Sequence, residues 1–206
     1  DDGADTVTVS VAPTGVTSSA WSIGGQHVLT NASIEGTVVA GDTVIFHISP
    51  SSAASTIWTF RNVGNSTSGQ CKIQGADGGR PVFTTTNTSD CIVSARFGCW
   101  VENLEVVQQG ASGDAIQITG GSNVVYNVVV SDAGAYGILA SGASPALRVI
   151  GCDISGTGTA LIQSSGAYSL IFGNYLHDSS NLGVFLPSSG VSVSVINNVI
   201  DTCSSA

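Results

Sequence analysis

Five short segments of the chain share one pattern and recur at near-constant intervals. They are Val101-Glu-Asn-Leu-Glu-Val106, Val125-Tyr-Asn-Val-Val-Val130, Val149-Ile-Gly-Cys-Asp-Ile154, Ile171-Phe-Gly-Asn-Tyr-Leu176 and Val195-Ile-Asn-Asn-Val-Ile200, starting 24, 24, 22 and 24 residues apart. Each reads aliphatic, any residue, Asn or Gly, two further residues, aliphatic. A second register runs between them, at Ala115-Ile116, Gly137-Ile138, Ala160-Leu161 and Gly183-Val184, with steps of 22, 23 and 23. Two strand registers on one period describe a solenoid, whose repeats are too small to bury an apolar face alone and are stabilised by stacking on their neighbours.

The solenoid is expected to be all-β. The segments between the registers are rich in Gly, Ser, Asn and Asp and leave no room for a helix, while the strands are rich in Val and Ile. A leucine-rich repeat has a similar period but would show Leu at fixed offsets and a helical limb. Stacking at about 4.8 Å per coil pairs every strand with its copy above and below. Asn103, Asn127, Gly151, Gly173 and Asn197 form one column between two apolar columns. Asn and Gly tolerate positive φ, so this column is read as the bend between two sheets.

The repeat, Val-x-Asn-x-x-Ile on a period of 22 to 24 residues, resembles that of right-handed parallel β-helix proteins of the pectate-lyase-like and phage tailspike kind. Val39-Ala-Gly-Asp-Thr-Val-Ile45, Cys71-Lys-Ile-Gln-Gly75 and Gly79-Arg-Pro-Val-Phe83 add to the likeness. In such proteins these segments start the first strand and form the first full coil. The resemblance covers about residues 35–206 and implies the fold; lyases, hydrolases, epimerases, adhesins and virion proteins all use it. The expected organisation is an N-terminal arm or cap over 1–34, containing the alternating strand Thr6-Val-Thr-Val-Ser-Val11, irregular first coils over 35–98 and regular coils over 99–206. Extrapolating the second register puts the next strand near the C-terminus, so the last coil is expected to be half built and covered by another subunit, an oligomer interface or further chain.

Composition narrows the partners. Charged residues make up 9% of the chain, with five basic residues against fourteen acids and a net charge of −9. Nucleic acid and anionic membrane would be repelled, and no apolar run reaches membrane-spanning length. Neither is expected as a partner. The five cysteines, Cys71, Cys91, Cys99, Cys152 and Cys203, cannot all pair internally. Cys152 falls in the column of Leu104 and Val128 and reads as a small buried hydrophobe. Cys71 and Cys91 lie about one coil apart and are candidates for approach. No Cys/His spacing suggests zinc, and no metal or cofactor is expected. Three Asn-x-Ser/Thr sequons, at Asn31, Asn65 and Asn87, are what chance gives in so Ser/Thr-rich a chain.

The candidates for chemistry are few. Lys72 and Arg96, 24 residues apart with Asp77 and Asp90 nearby, are the best available lyase constellation, pairing a base with a cation that would stabilise an enolate. A strand-exposed lysine is the simpler reading. A hydrolase needs two carboxylates at a set separation. Asp132 and Asp178 share a column two coils apart, about 9–10 Å, at the long limit for an inverting pair. His177 is expected to stack on Asp201 in the neighbouring column. Glu105 and Asp153 share a column with Val129 between them, an apolar spacer that argues against a metal site. Trp100 is expected to plug the end of the core. Tyr126 and Tyr175 fall in different columns, which leaves no evident sugar-stacking ladder and no identified glycan-binding residues.

The function expected from these residues is structural and non-enzymatic. The β-helix would be a rigid module of a virion surface or other extracellular structure, as capsid decoration or a spike-like part. A homo-oligomer, with a trimer favoured, or other virion or surface proteins would be its partners. Polysaccharide recognition by a tailspike-like adhesin is the alternative, and a lyase or glycosidase a more distant one.

Overall fold

The structure, a computed structural model, describes residues 43–46, 58–60, 71–76, 79–86, 88–94, 98–141, 146–187 and 192–204. The expected arm over 1–34 lies outside them, as do Arg96 and Asp77.

From Cys71 onward, the described chain winds through three parallel sheets in strict rotation. The first stacks Thr43–Phe46, Cys71–Gly75, Cys99–Glu102, Val124–Tyr126, Arg148–Ile150, Leu170–Phe172 and Ser194–Ile196. The second stacks Val82–Thr85, Glu105–Gln108, Val129–Ser131, Asp153–Ser155, Tyr175–His177 and Val199–Asp201. The third stacks Trp58–Phe60, Ile92–Ser94, Ile116–Ile118, Tyr136–Ala140, Ala160–Ser164 and Leu182–Phe185. Every strand inside a sheet pairs in parallel with the strand one coil earlier and one coil later, so the backbone groups of these short segments are satisfied between coils. In the first sheet the register steps from Thr43 to Lys72 to Trp100, then to Val124, Arg148, Leu170 and Ser194. The early steps are thus longer than the later ones.

The apolar columns of the repeat form the core. Val101, Val125, Val149 and Ile171 line the first sheet inside, Val106, Val130, Ile154 and Leu176 the second, and Ile92, Ile116, Ile138 and Ile162 the third, all at 0–1% exposure. Each such burial stabilises by roughly 1.5–3 kcal/mol relative to exposure. The same columns reach the upper edge of the stack at Val195 and Ile200, which are 41% and 43% exposed.

The Asn/Gly column makes the bend expected of it. Asn103, Asn127 and Asn197 have φ of 55°, 50° and 55°, and Gly151 and Gly173 have 61° and 65°. Asparagine also bonds along the stack: Asn127 Nδ2 donates to Asn103 Oδ1 at 3.2 Å, and Asn103 Nδ2 donates to the carbonyls of Gly75 and Ala76. One position further, the inward column changes from Leu104, Val128 and Cys152 to Asn174 and Asn198. Asn174 Oδ1 accepts the Cys152 N–H at 2.8 Å, and its Nδ2 donates to the Val149 carbonyl and to Asn198 Oδ1. The buried amides satisfy backbone groups that the turn would orphan.

Two sequence expectations are corrected. The third-sheet register runs Ile138 to Ile162 to Val184, not through Leu161. Ala160, Leu161 and Ile162 are all buried, so the alternation that would reveal the register is erased there. Trp100 does not plug the core: Cys99 and Val101 point inward and Trp100 outward, with Lys72 Nζ 5.7 Å from its ring centroid. Cys71 is the backbone register partner of Cys99 in the first sheet, and Cys91 is a buried free thiol beside the third. Burial pushes the Cys91 thiol up to about 12, and that of Cys152 to about 11, so neither is a nucleophile near neutral pH.

Candidate functional site

The outward side of the second sheet and the corner that follows it hold Glu105, Asp132, Asp153, His177, Asp178 and Asp201, half of the described Asp, Glu, His, Lys and Arg side chains. The corner residues Asp132, Gly156, Asp178 and Thr202 all have positive φ, of 60°, 69°, 55° and 48°. They stack as one column, with the Gly156 N–H donating to the Asp178 carbonyl at 3.2 Å. Asp132 and Asp178 therefore share a column two coils apart, separated by a residue without a side chain. The result is an open groove of about 360 Å³ walled by Asp132 and Asp178, floored by Gly134, Gly156, Thr157 and Gly158, and edged by Ser180. A side chain at Gly156 would press on Asp132, whose backbone N lies 2.9 Å from the position of a Cβ there.

His177 lies beside this groove and is engaged on both ring nitrogens. Nδ1 is 2.7 Å from Asp178 Oδ2 and Nε2 is 2.9 Å from Asp153 Oδ1. The Tyr175 ring stacks on the imidazole at a centroid distance of 4.2 Å. Asp178 is held in turn by Thr202, whose Oγ1 donates to Oδ1 at 2.7 Å, while the Asp178 N–H approaches the same hydroxyl at 3.1 Å. Asp201 is the register partner of His177, as its spacing implied, but the ring bonds run to Asp153 and Asp178. The diagonal partner Asp153 is what the sequence did not reveal: one coil earlier, it is aligned with Tyr175, not with His177.

Of the lyase constellation, only Lys72 and Asp90 lie among the described residues. Lys72 Nζ is ion-paired with Glu102 at 2.6 Å on the outside of the first sheet. Asp90 instead accepts the Asp114 N–H at 3.0 Å, next to the third sheet. Glu105, Val129 and Asp153 do stack as a column. Among the described residues no group of three or more His, Cys, Asp or Glu side chains could hold a metal ion.

The first sheet carries a different kind of surface. Tyr126, Ile150, Phe172 and Ile196 form one outward column, with Tyr126, Phe172 and Ile196 at 44%, 39% and 47% exposure. Arg148 projects from the neighbouring column between Val124 and Leu170. The pairing of Tyr126 with Phe172 across Ile150 was hidden in a sequence reading that compared tyrosines only with one another.

Residues 99–206, just over half of the chain, match the family described as right handed beta helix region. The chain belongs to the right-handed β-helix family. The three parallel sheets and the corner geometry agree with that membership, and the right-handed crossover is the one parallel strands favour. No curated protein and no solved structure matches the chain. Tailspikes and pectate lyases use this β-helix fold, which fixes no single activity.

Proposed function

We propose that this β-helix is a rigid, non-catalytic module of a surface assembly, with a virion exterior or another extracellular structure as its setting. The observation that carries the reading is where the charged side chains go. Lys72 bonds Glu102, Arg80 Nη2 donates to Asn127 Oδ1 at 3.0 Å, His177 bridges Asp153 and Asp178, and Asp178 bonds Thr202. Apart from the bond between the sequence neighbours His177 and Asp178, these contacts join one coil to another and stitch the stack. Further copies of the chain, a trimer by preference, or other proteins of the same surface are the partners. A like copy carries the same net charge of −9. The side it can approach with least repulsion is the outer first sheet, where the coils from Val124 to Ile196 present Tyr126, Phe172, Ile196 and Arg148 and no acid. The test is incubation of the purified protein with acidic and neutral polysaccharides. No new reducing or unsaturated ends are expected, and their release at a rate above buffer would overturn the reading.

The groove favours glycan recognition as a second reading. Carboxylates at Asp132 and Asp178 accept hydroxyl protons, and the glycine floor admits a ligand close to the backbone. Retention on a glycan array that is lost in Asp132→Ala and Asp178→Ala would support it; retention unchanged in both would place glycan contact elsewhere.

A further inference from the structure

A neutral imidazole has one N–H and can donate to one acceptor. Both nitrogens of His177 lie within hydrogen-bond distance of carboxylate oxygens, Asp153 Oδ1 at 2.9 Å and Asp178 Oδ2 at 2.7 Å. Both bonds can be made at once only by the protonated ring. The two acceptors belong to different coils, and Asp178 is fastened to a third through Thr202. One proton on His177 thus completes a chain of bonds, Asp153 to His177 to Asp178 to Thr202, across three successive coils.

We propose that His177 is a proton-operated latch, closed in mildly acidic solution, that loosens the coils from Asp153 to Thr202 when the ring loses its proton.

The surroundings fit this role. Asp153 and Ser155 face the ring from the coil before, and Asp201 and Thr202 from the coil after. Tyr175 stacks on it from its own strand, and Glu105 lies further down the column of Asp153. The charged groups in these positions are all acidic and favour the imidazolium. Burial pulls the His177 pKa down, but the hydrogen bonds and charges of Asp178 and Asp153 more than offset it and leave it above 6.5. A base raised in this way contributes stability that is complete below 6.5 and fades as pH rises through the folded value. Asp178 behaves oppositely: bonds from Thr202 and His177 hold it below 3.8, so its share is complete above 3.8 and fades as pH falls through the lowered value. The latch is fully closed between the two. Opening it also leaves Asp178 on the groove wall without its cation, so the groove becomes more negative as the ring deprotonates. The inference stands on this cluster alone and is independent of the surface partner.

Amide hydrogen exchange from about pH 6 to about pH 8.5, corrected for intrinsic rates, tests it. The reporters are Asp178, whose N–H meets the Thr202 hydroxyl, and Val199, whose N–H donates to the Asn174 carbonyl at 2.9 Å. Their protection is expected to fall several-fold with rising pH in the wild type and in Asp114→Asn, and to stay flat in His177→Gln. A flat wild-type profile, or an undiminished fall in His177→Gln, overturns the proposal. Titration of the imidazole by NMR is a second check that does not depend on exchange. Its midpoint should lie above 6.5 and move down in Asp153→Asn, and a midpoint unmoved by that substitution contradicts the latch.

Discussion

Asp114 shows how a carboxylate is used in this fold. It is 5% exposed, its Oδ1 accepts the Tyr136 N–H at 3.2 Å, and its own N–H donates to Asp90. Burial, followed by the charge of Asp90, pushes its pKa from 3.8 up to about 6. The folded chain therefore holds this proton more tightly than the unfolded one, and stability falls as pH rises from 3.8 through about 6. The fall attributable to Asp114 should reach about 2 kcal/mol after solvent screening is allowed for. Urea midpoints at acidic and neutral pH measure it, and Asp114→Asn should flatten the dependence. At this scale the sequence was legible only along columns. Asp132 and Asp178 could be aligned because whole coils separate them. The bond from Asp153 to His177 could not, because it runs diagonally between columns and depends on side-chain rotamers.

A single strand here is three to five residues long and has no stability of its own; its partners are its copies above and below. Ile154, fully buried between Val130 and Leu176, tests that dependence. Ile154→Asp places an unpaired charge in a stacked apolar column and should abolish folding, seen as loss of the β-sheet circular dichroism signal. Asn174 tests the corners. Asn174→Ala would leave the buried Cys152 N–H and Val149 carbonyl without their side-chain partner, at a cost of about 2–4 kcal/mol in chemical denaturation. The first and second sheets were readable because their inward positions keep one fixed place in the repeated segment from coil to coil. The third was readable only to within one residue at Leu161 and Ile162, where three consecutive buried side chains remove the alternation. Trp100 was misplaced for a related reason: size suggested the core, while the pleat between Cys99 and Val101 turned it outward.

Across the whole molecule, the second sheet and its corner are acidic and polar, the upper first sheet is apolar, and the two lie on adjacent sides of one stack. The repeat made the stack legible, because period and core are the same information. The surface was not, because outward positions are free to vary once the columns are filled, and their meaning depends on what they meet. The central claim, that this β-helix is a part built to be assembled, is tested most directly by the mass of the purified protein in native mass spectrometry. The account predicts a multiple of the 20.7 kDa chain, three copies by preference, reduced to a single folded chain by Tyr126→Glu with Phe172→Glu. A wild type that stays at 20.7 kDa across the accessible concentration range would contradict it.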